Sequence, residues 1–154
     1  MRRPATPEAP PQRATPVTTE RVEAHLRGLG YAVRRDGDGD LTGTWDGDRF
    51  WFMLLGREAE ILQVRGRWRR TLDPGRRRAA LLAVNDWNRE RIWPKVYLRD
   101  EEDGTAVYTE VSTDLEHGAT DAQLAQLVAC GLGTGVQFFA ALAGLVPDDG
   151  PRAV

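Results

Sequence analysis

The 154-residue chain has few of the side chains that most often carry out chemistry. It contains one cysteine (Cys130), one serine (Ser112) and two histidines (His25 and His117). A single cysteine excludes an internal disulfide, which suits the reducing cytoplasm. Hydrolytic triads are poorly supplied, and no histidine, cysteine and carboxylate residues show the spacing of a metal site. We therefore predict a protein that is not an enzyme and that uses no cofactor and no metal.

Lysine and long apolar runs are also scarce. The chain has 20 arginines but only one lysine, Lys95, a bias that a GC-rich coding sequence explains. The net charge of −2 argues against a dedicated nucleic-acid-binding protein. No run of about 18 apolar residues is present, and no apolar segment follows Arg2 and Arg3 as it would in a signal peptide. We expect a cytoplasmic protein with no membrane partner.

Proline is concentrated near one end of the chain. Residues 1–16 contain five prolines and few apolar side chains, so this segment cannot bury enough surface to offset its ordering entropy. We predict a disordered tail over residues 1–16, one folded domain over residues 17–146, and a short flexible tail over residues 147–154. A domain of this size can bury a hydrophobic core.

The first half of the predicted domain has the pattern of a helix followed by strands. Thr18 is a candidate N-cap, and Gly30 ends a helical spacing of inward residues, namely Val22, His25, Leu26 and Leu29. Residues 31–69 then contain three or four short strands, with Asp46-Gly47 as a hairpin signal. The Asp36–Asp40 segment lacks the glycine and glutamate of a calcium loop, which favours a simple turn.

The second half has a helix, two strands and a last helix. Asp73-Pro74 is a typical helix start, and Pro94 requires that this helix end before Trp93. Thr120 and Gln123 have the spacing of a capping box for the last helix. The order α-β-β-β-(β)-α-β-β-α predicts an α+β fold, with an antiparallel sheet of five or six strands and the helices on one face.

A cluster of arginines is the strongest charge feature. Residues 65–78 carry seven arginines and one aspartate, a formal charge of +6. We predict that Arg65, Arg67 and Arg69 share one strand face and that three more arginines lie in the first turn of the next helix. This basic face could bind an acidic partner, a small anion or nucleic acid. A solvated sheet face is the alternative interpretation.

Two glycines lie on one side of the predicted last helix. Gly131 and Gly135 are four residues apart, and each glycine costs a helix about 0.5–1 kcal/mol relative to alanine. We predict that they let this helix pack closely against another element, either within the domain or across a dimer.

The segment 85–97 is the most distinctive part of the chain. It contains Asn85-x-Trp87-Asn88 at the end of the second helix, followed by Trp93-Pro94-Lys95-Val96-Tyr97 leading into a strand. We interpret it as a structural corner that joins the second helix to the sheet. The alternative is a partner-binding groove formed by Trp87 and Trp93, with Asn88 and Lys95 beside them.

Together with later motifs, this segment resembles the YbjN family. The later motifs are Val107-Tyr108-Thr109-Glu110, Gly118-x-Thr120 with Gln123-Leu124, and Phe138-Phe139. The resemblance covers roughly residues 17–146. It implies a fold like that of type III secretion chaperones, a sensory-transduction or stress regulator, and a homodimer that binds another protein. It supplies no catalytic residues. The alternative function is a nucleic-acid- or anion-binding module that uses the Arg65–Arg78 basic face.

Overall fold

The computed structural model of the chain describes residues 11–147, so residues 1–10 and 148–154 of the two predicted tails lie outside the described part. Three helices and six strands follow in the predicted order. The helices are α1 (Thr19–Gly28), α2 (Pro74–Glu90) and α3 (Asp121–Leu145). The strands are β1 (Arg34–Arg35), β2 (Leu41–Trp45), β3 (Asp48–Leu55), β4 (Ile61–Arg67), β5 (Lys95–Glu101) and β6 (Gly104–Asp114).

All pairings among these six strands are antiparallel, in the spatial order β1-β2-β3-β4-β6-β5. Alternate residues of the central strands, such as Phe50, Phe52 and Val64, are buried in the core beneath the helices. The predicted α+β class, the element order and the single helical layer are therefore confirmed.

The helix starts follow from local chemistry. The side chains of Thr18, Asp73 and Thr120 each accept a hydrogen bond from a backbone N–H three residues later. Gln123 completes the capping box by accepting a bond from the backbone N–H of Thr120. Because these bonds satisfy N–H groups that have no partner inside the helix, the sequence fixes where each helix begins.

The first strand is shorter than its alternation suggests. It comprises Arg34–Arg35 and not the predicted stretch from Tyr31, and Leu29, predicted to point inward, is 55% exposed. The helix already ends at Gly28, so Leu29 lies beyond its last turn, and Gly30, with a φ of +83°, then turns the chain. Leu29 and Tyr31 instead form part of the molecular surface.

The helix α3 is the central element of the helical layer. Eight of its residues are buried, among them Phe138, Phe139 and the two glycines at 131 and 135. The helix α3 is long and apolar enough to cross a membrane, but the core helix of a soluble protein meets the same two criteria. One side of α3 fills the core against β3, β4 and β6.

The segment before α1 contacts the folded part. Thr15, within the predicted tail, exchanges two backbone hydrogen bonds with Ala119, at 3.1 and 2.9 Å. Arg21 bonds the carbonyl oxygens of both residues and forms an ion pair with Asp121 at 2.9 Å. These contacts hold the entry to α1 beside the start of α3.

Candidate functional site

The side of the sheet opposite the helices, which we call the open face, presents polar and aromatic side chains. One row of paired residues crosses five strands, and the next crosses four. The first row is Thr42, Trp51, Arg65, Glu110 and Lys95. The second is Arg49, Arg67, Tyr108 and Tyr97. Cross-strand pairing thus brings cations, carboxylates and aromatic rings into contact.

Glu110 is the centre of the first row. It is only 7% exposed, and its oxygens accept bonds from Arg65 Nε at 2.9 Å, Tyr97 Oη at 2.6 Å and Lys95 Nζ at 2.9 Å. Burial alone would raise the pKa of Glu110, but the bonds from Tyr97 and Lys95 and the charge of Arg65 outweigh it and lower the pKa. The carboxylate is therefore held ionised between two cations.

Glu101 has a parallel role beside the second row, where it contacts Arg67 and Tyr108. It accepts a bond from the Tyr108 hydroxyl and one from Arg67 Nη2 at 2.9 Å, and these two bonds lower the pKa of Glu101. The rings of Tyr97 and Tyr108 are stacked, with centroids 5.4 Å apart and planes 11° apart. Burial and their carboxylate partners raise the pKa of both tyrosines. At neutral pH the two carboxylates therefore stay ionised and the two tyrosines stay protonated.

The arginines of the predicted basic face are dispersed and paired. In addition to the ion pairs of Arg65 and Arg67, Arg77 reaches Asp100 at 3.2 Å on the helical side of the sheet. Arg70 and Arg76 bond carbonyl oxygens at the end of α3, those of Val146 and Pro147. Four of the seven arginines, namely Arg65, Arg67, Arg69 and Arg77, thus lie 2.9–3.7 Å from a carboxylate in another part of the chain.

Arg69 lies just beyond the strand that carries Arg65 and Arg67, and its membership of a partner-binding surface stays a prediction. Strand β4 ends at Arg67, and the Arg69 backbone N–H donates to Asp48 Oδ1 at 2.8 Å. Its guanidinium bonds the Asp46 carbonyl oxygen at 3.0 Å. Because this aspartate draws the chain towards the β2–β3 turn, Arg69 leaves the row.

Trp51 separates two shallow cavities on the open face. The smaller has a volume of about 200 Å³ and the larger about 410 Å³. Trp51 and Tyr108 line both cavities, and Arg49 lies over the Trp51 ring, 4.9 Å from its centroid. The smaller is also lined by Asp36, Asp38, Asp40, Met53, Arg65 and Arg99. The larger is also lined by Gly47, Arg49, Arg67, Trp68, Arg69, Glu101 and Asp103.

The predicted corner residues divide between two environments. Trp87 packs edge-on against Phe138, with centroids 5.0 Å apart, whereas Trp93 is 52% exposed. Lys95 belongs to the open face through Glu110. The two tryptophans thus have different surroundings.

Asn88 joins α2 to the edge of the sheet. Its Nδ2 donates to the Val96 carbonyl oxygen at 2.8 Å, and its Oδ1 accepts from the Val96 N–H at 3.1 Å. The side-chain amide therefore pairs with the outer edge of β5 as a neighbouring strand would.

The structure places the two predicted glycines against the sheet. A Cβ at Gly131 would lie 2.5 Å from Val64 Cβ, and one at Gly135 would lie 2.7 Å from Phe50 Cε1. Side chains at these positions would separate α3 from the sheet, so both glycines act inside the domain.

Sequence reasoning missed Trp51, Glu101, Tyr108 and Glu110 as members of a surface. Their strands were identified, but the register between β4 and β6 was not, and that register brings Arg65 opposite Glu110. In the sequence, Tyr108 and Glu110 alternate with Val107, Thr109 and Val111. This alternation was the signal that could have placed them on the face of the sheet away from the core. Among residues 11–147, no group of three or more histidine, cysteine or acidic residues could hold a metal ion.

The family model of YbjN, described as "Putative bacterial sensory transduction regulator", matches residues 18–144. This chain belongs to the YbjN family. The crystal structure of YbjN from E. coli, described as "a putative transcription regulator", superposes with a TM-score of 0.71 at 14% identity. The match covers 86% of this chain and 96% of that one, and at this identity it shows the shared fold. No curated protein sequence matches the chain. The description of the family is that of a regulator.

Proposed function

We propose that this YbjN domain is a cytoplasmic regulator that acts without catalysis, as a homodimer, by binding another protein on its open face. The observation that carries the proposal is the alternation of charge across that face. Arg65 and Lys95 flank Glu110, and Arg67 contacts Glu101. A surface of this kind is complementary to a protein segment that has both signs of charge.

The same pairing disfavours a polyanion as the partner. Nucleic-acid affinity comes mainly from cations that neutralise successive phosphates. Here the guanidinium groups of Arg65, Arg67 and Arg77 already bond carboxylates. A phosphate backbone would have to displace these carboxylates or lie beside them, and either cost lowers the affinity.

The two cavities indicate the chemistry that a partner would need. Trp51 lines both cavities, and each cavity has side chains of both charges: three aspartates with Arg65 and Arg99 in the smaller, and three arginines with Glu101 and Asp103 in the larger. An extended segment or loop that places an apolar residue on Trp51 and carries both basic and acidic residues fits this surface. Aromatic anchors of this kind dominate many protein interfaces.

The absence of catalysis is proposed from the state of the carboxylates. A general acid or base needs a pKa near the working pH and a free position for the substrate proton. Glu110 accepts three hydrogen bonds and Glu101 two, and the pKa of each is lowered away from neutrality. Both groups are better suited to shape a binding surface than to transfer protons.

The test uses Trp51→Ala with Trp93→Ala as the matched control, since Trp93 is exposed, precedes the first residue of β5 and lines neither cavity. Each full-length protein is used to capture partners from the cytosol of its host bacterium, after circular dichroism has verified the fold. A stoichiometric protein is then purified, and its affinity is measured by calorimetry. We expect Trp51→Ala to weaken binding by roughly tenfold or more and Trp93→Ala to leave it unchanged.

Equal affinity of the purified partner for wild type and Trp51→Ala would reject the open face as the site. Lack of any stoichiometric protein partner would reject the protein-binding function. A parallel measurement with a fluorescent 20-nucleotide RNA tests the second class of partner. Binding that falls steeply with salt and is lost in the double variant Arg65→Gln, Arg67→Gln would establish the nucleic-acid function in its place.

A further inference from the structure

The outward side of α3 is uncharged along its length. From Ala122 to Leu145 the helix has no Asp, Glu, Lys or Arg, in a chain with 29% charged residues. Seven exposed residues at intervals of three and four form this side, which we call the α3 face. They are Ala122, Gln126, Ala129, Gly133, Gln137, Ala140 and Gly144. Because the solvent side of a surface helix normally carries charged residues, this composition indicates a contact surface.

Gly133 at the middle of the α3 face has no explanation inside the domain. A Cβ at this position would meet nothing within 4 Å, in contrast to Gly131 and Gly135, which lie against the sheet. A glycine within a helix costs about 1 kcal/mol relative to alanine. Close approach by a second body at Gly133 would account for a residue that the isolated domain does not need.

An apolar groove runs beside the α3 face. It has a volume of about 300 Å³, and Gly133 and Ala129 form part of its wall on the α3 side. Leu29 and Tyr31 form part of the opposite wall and are 55% and 38% exposed. Trp45 lies beneath, 5.4 Å from Tyr31 between ring centroids. The apolar surface therefore extends beyond one helix side, which increases the area that a partner could cover.

We propose that a second copy of this chain packs antiparallel across the α3 face, with the two Gly133 residues at the crossing. The sequence of the face is complementary to itself in that orientation. With Gly133 opposite Gly133, Ala129 faces Gln137, Gln126 faces Ala140, and Ala122 faces Gly144. Each glutamine meets an alanine, each remaining pair consists of small residues, and no charged residues oppose each other.

Small residues at the centre let two helices approach to the lower end of the usual interaxial range of about 8–10 Å. The 25-residue helix is about 37 Å long, and the apolar groove adds contact area beside it. A face that is identical on both copies gives a closed two-fold dimer. The α3 face lies in the helical layer, opposite the open face, so a dimer formed here leaves the proposed partner surface free.

This inference rests on the homodimer part of the proposed function and can be tested separately from it. Sedimentation velocity over a range of concentrations compares wild type with Gly133→Gln. Ala79→Gln is the matched control, because Ala79 is an exposed small residue on α2 outside the α3 face. We expect Gly133→Gln to weaken the dimer roughly ten- to a hundredfold and Ala79→Gln to leave it unchanged.

Loss of the dimer cannot be assigned to unfolding if Gly133→Gln keeps the urea midpoint of the monomer. Since the added side chain points into open space and glutamine favours helix over glycine, we expect the midpoint to be equal or higher. A wild-type chain that is monomeric at every concentration would reject the homodimer itself. A wild-type dimer that Gly133→Gln does not weaken would reject only this interface.

The orientation is tested by cysteine cross-linking in a Cys130→Ser background. In the antiparallel dimer Gly133→Cys links to itself, and a mixture of Ala122→Cys with Gly144→Cys forms mixed dimers. Ala122→Cys alone does not link, because its two copies lie about 33 Å apart along the helices. Self-linking of Ala122→Cys would demonstrate parallel packing. Flotation of the wild type with lipid vesicles, lost in Gly133→Gln, would show that a membrane covers this face.

Discussion

The substitution Gly131→Ala tests how closely α3 packs on the sheet. The new Cβ would lie 2.5 Å from Val64 Cβ and 2.8 Å from Val64 Cγ2. Val64 Cβ cannot rotate away, because it is attached to the backbone of β4, which is paired on one side with β3 and on the other with β6. The helix must therefore shift away from the sheet.

The expected change combines two opposite effects. Forcing an extra methyl group into a packed core costs about 1–3 kcal/mol. Replacing glycine with alanine in a helix returns about 0.5–1 kcal/mol. We expect Gly131→Ala to lower the free energy of unfolding by roughly 1–2 kcal/mol, with a lower urea midpoint and an unchanged m-value.

Gly133→Ala is the matched control, two residues further along the same helix. Its new methyl group meets nothing within 4 Å, so only the helix preference remains and the monomer should gain up to about 1 kcal/mol. Both variants are unfolded with urea at a protein concentration low enough to keep the chain monomeric. If Gly131→Ala is as stable as Gly133→Ala, the described contact between α3 and β4 is wrong.

Two further predictions concern the sheet. Asn88→Ala should cost about 1–3 kcal/mol, because it leaves the Val96 N–H and carbonyl without their partner, and hydrogen exchange of the Val96 amide should accelerate; an unchanged exchange rate would contradict the role of Asn88. Glu110 has a folded pKa below its ordinary value of 4.5, so its contribution to stability is complete above pH 4.5 and is lost as the pH falls through the folded pKa. Urea titrations at several acidic pH values should therefore show that the free energy of unfolding falls less steeply with decreasing pH for Glu110→Gln than for wild type. Equal slopes for the two proteins would refute this role of Glu110.

Local signals in the sequence predicted most of the fold. The caps at Thr18, Asp73 and Thr120 and the hairpin at Asp46-Gly47 act over a few residues, so they can be read from the chain directly. The short first strand was not foreseen, because Tyr31 and Val33 have strand-like alternation, and only the tertiary position of the β1–β2 pair decides where it begins. At the start of β1, tertiary packing overrides the local preference for a strand.

The open face could not be derived in the same way. Its contacts join residues such as Arg65 and Glu110, 45 positions apart, and they depend on the register of two strands separated by α2 and β5. The sequence therefore indicated a basic cluster, although the folded chain contains a mixed-charge surface. Charge counted along a segment does not predict a field when the counter-charges come from a distant strand.

The Asn88 side chain also protects part of the edge of the sheet. An edge strand with free backbone groups can recruit strands from other molecules without limit, which leads to fibres. At Val96 those groups are bonded by the amide of Asn88, which lies on a helix and cannot be extended by another strand. A single side chain, eight residues away in the sequence, thus helps to keep the sheet of this small regulator finite.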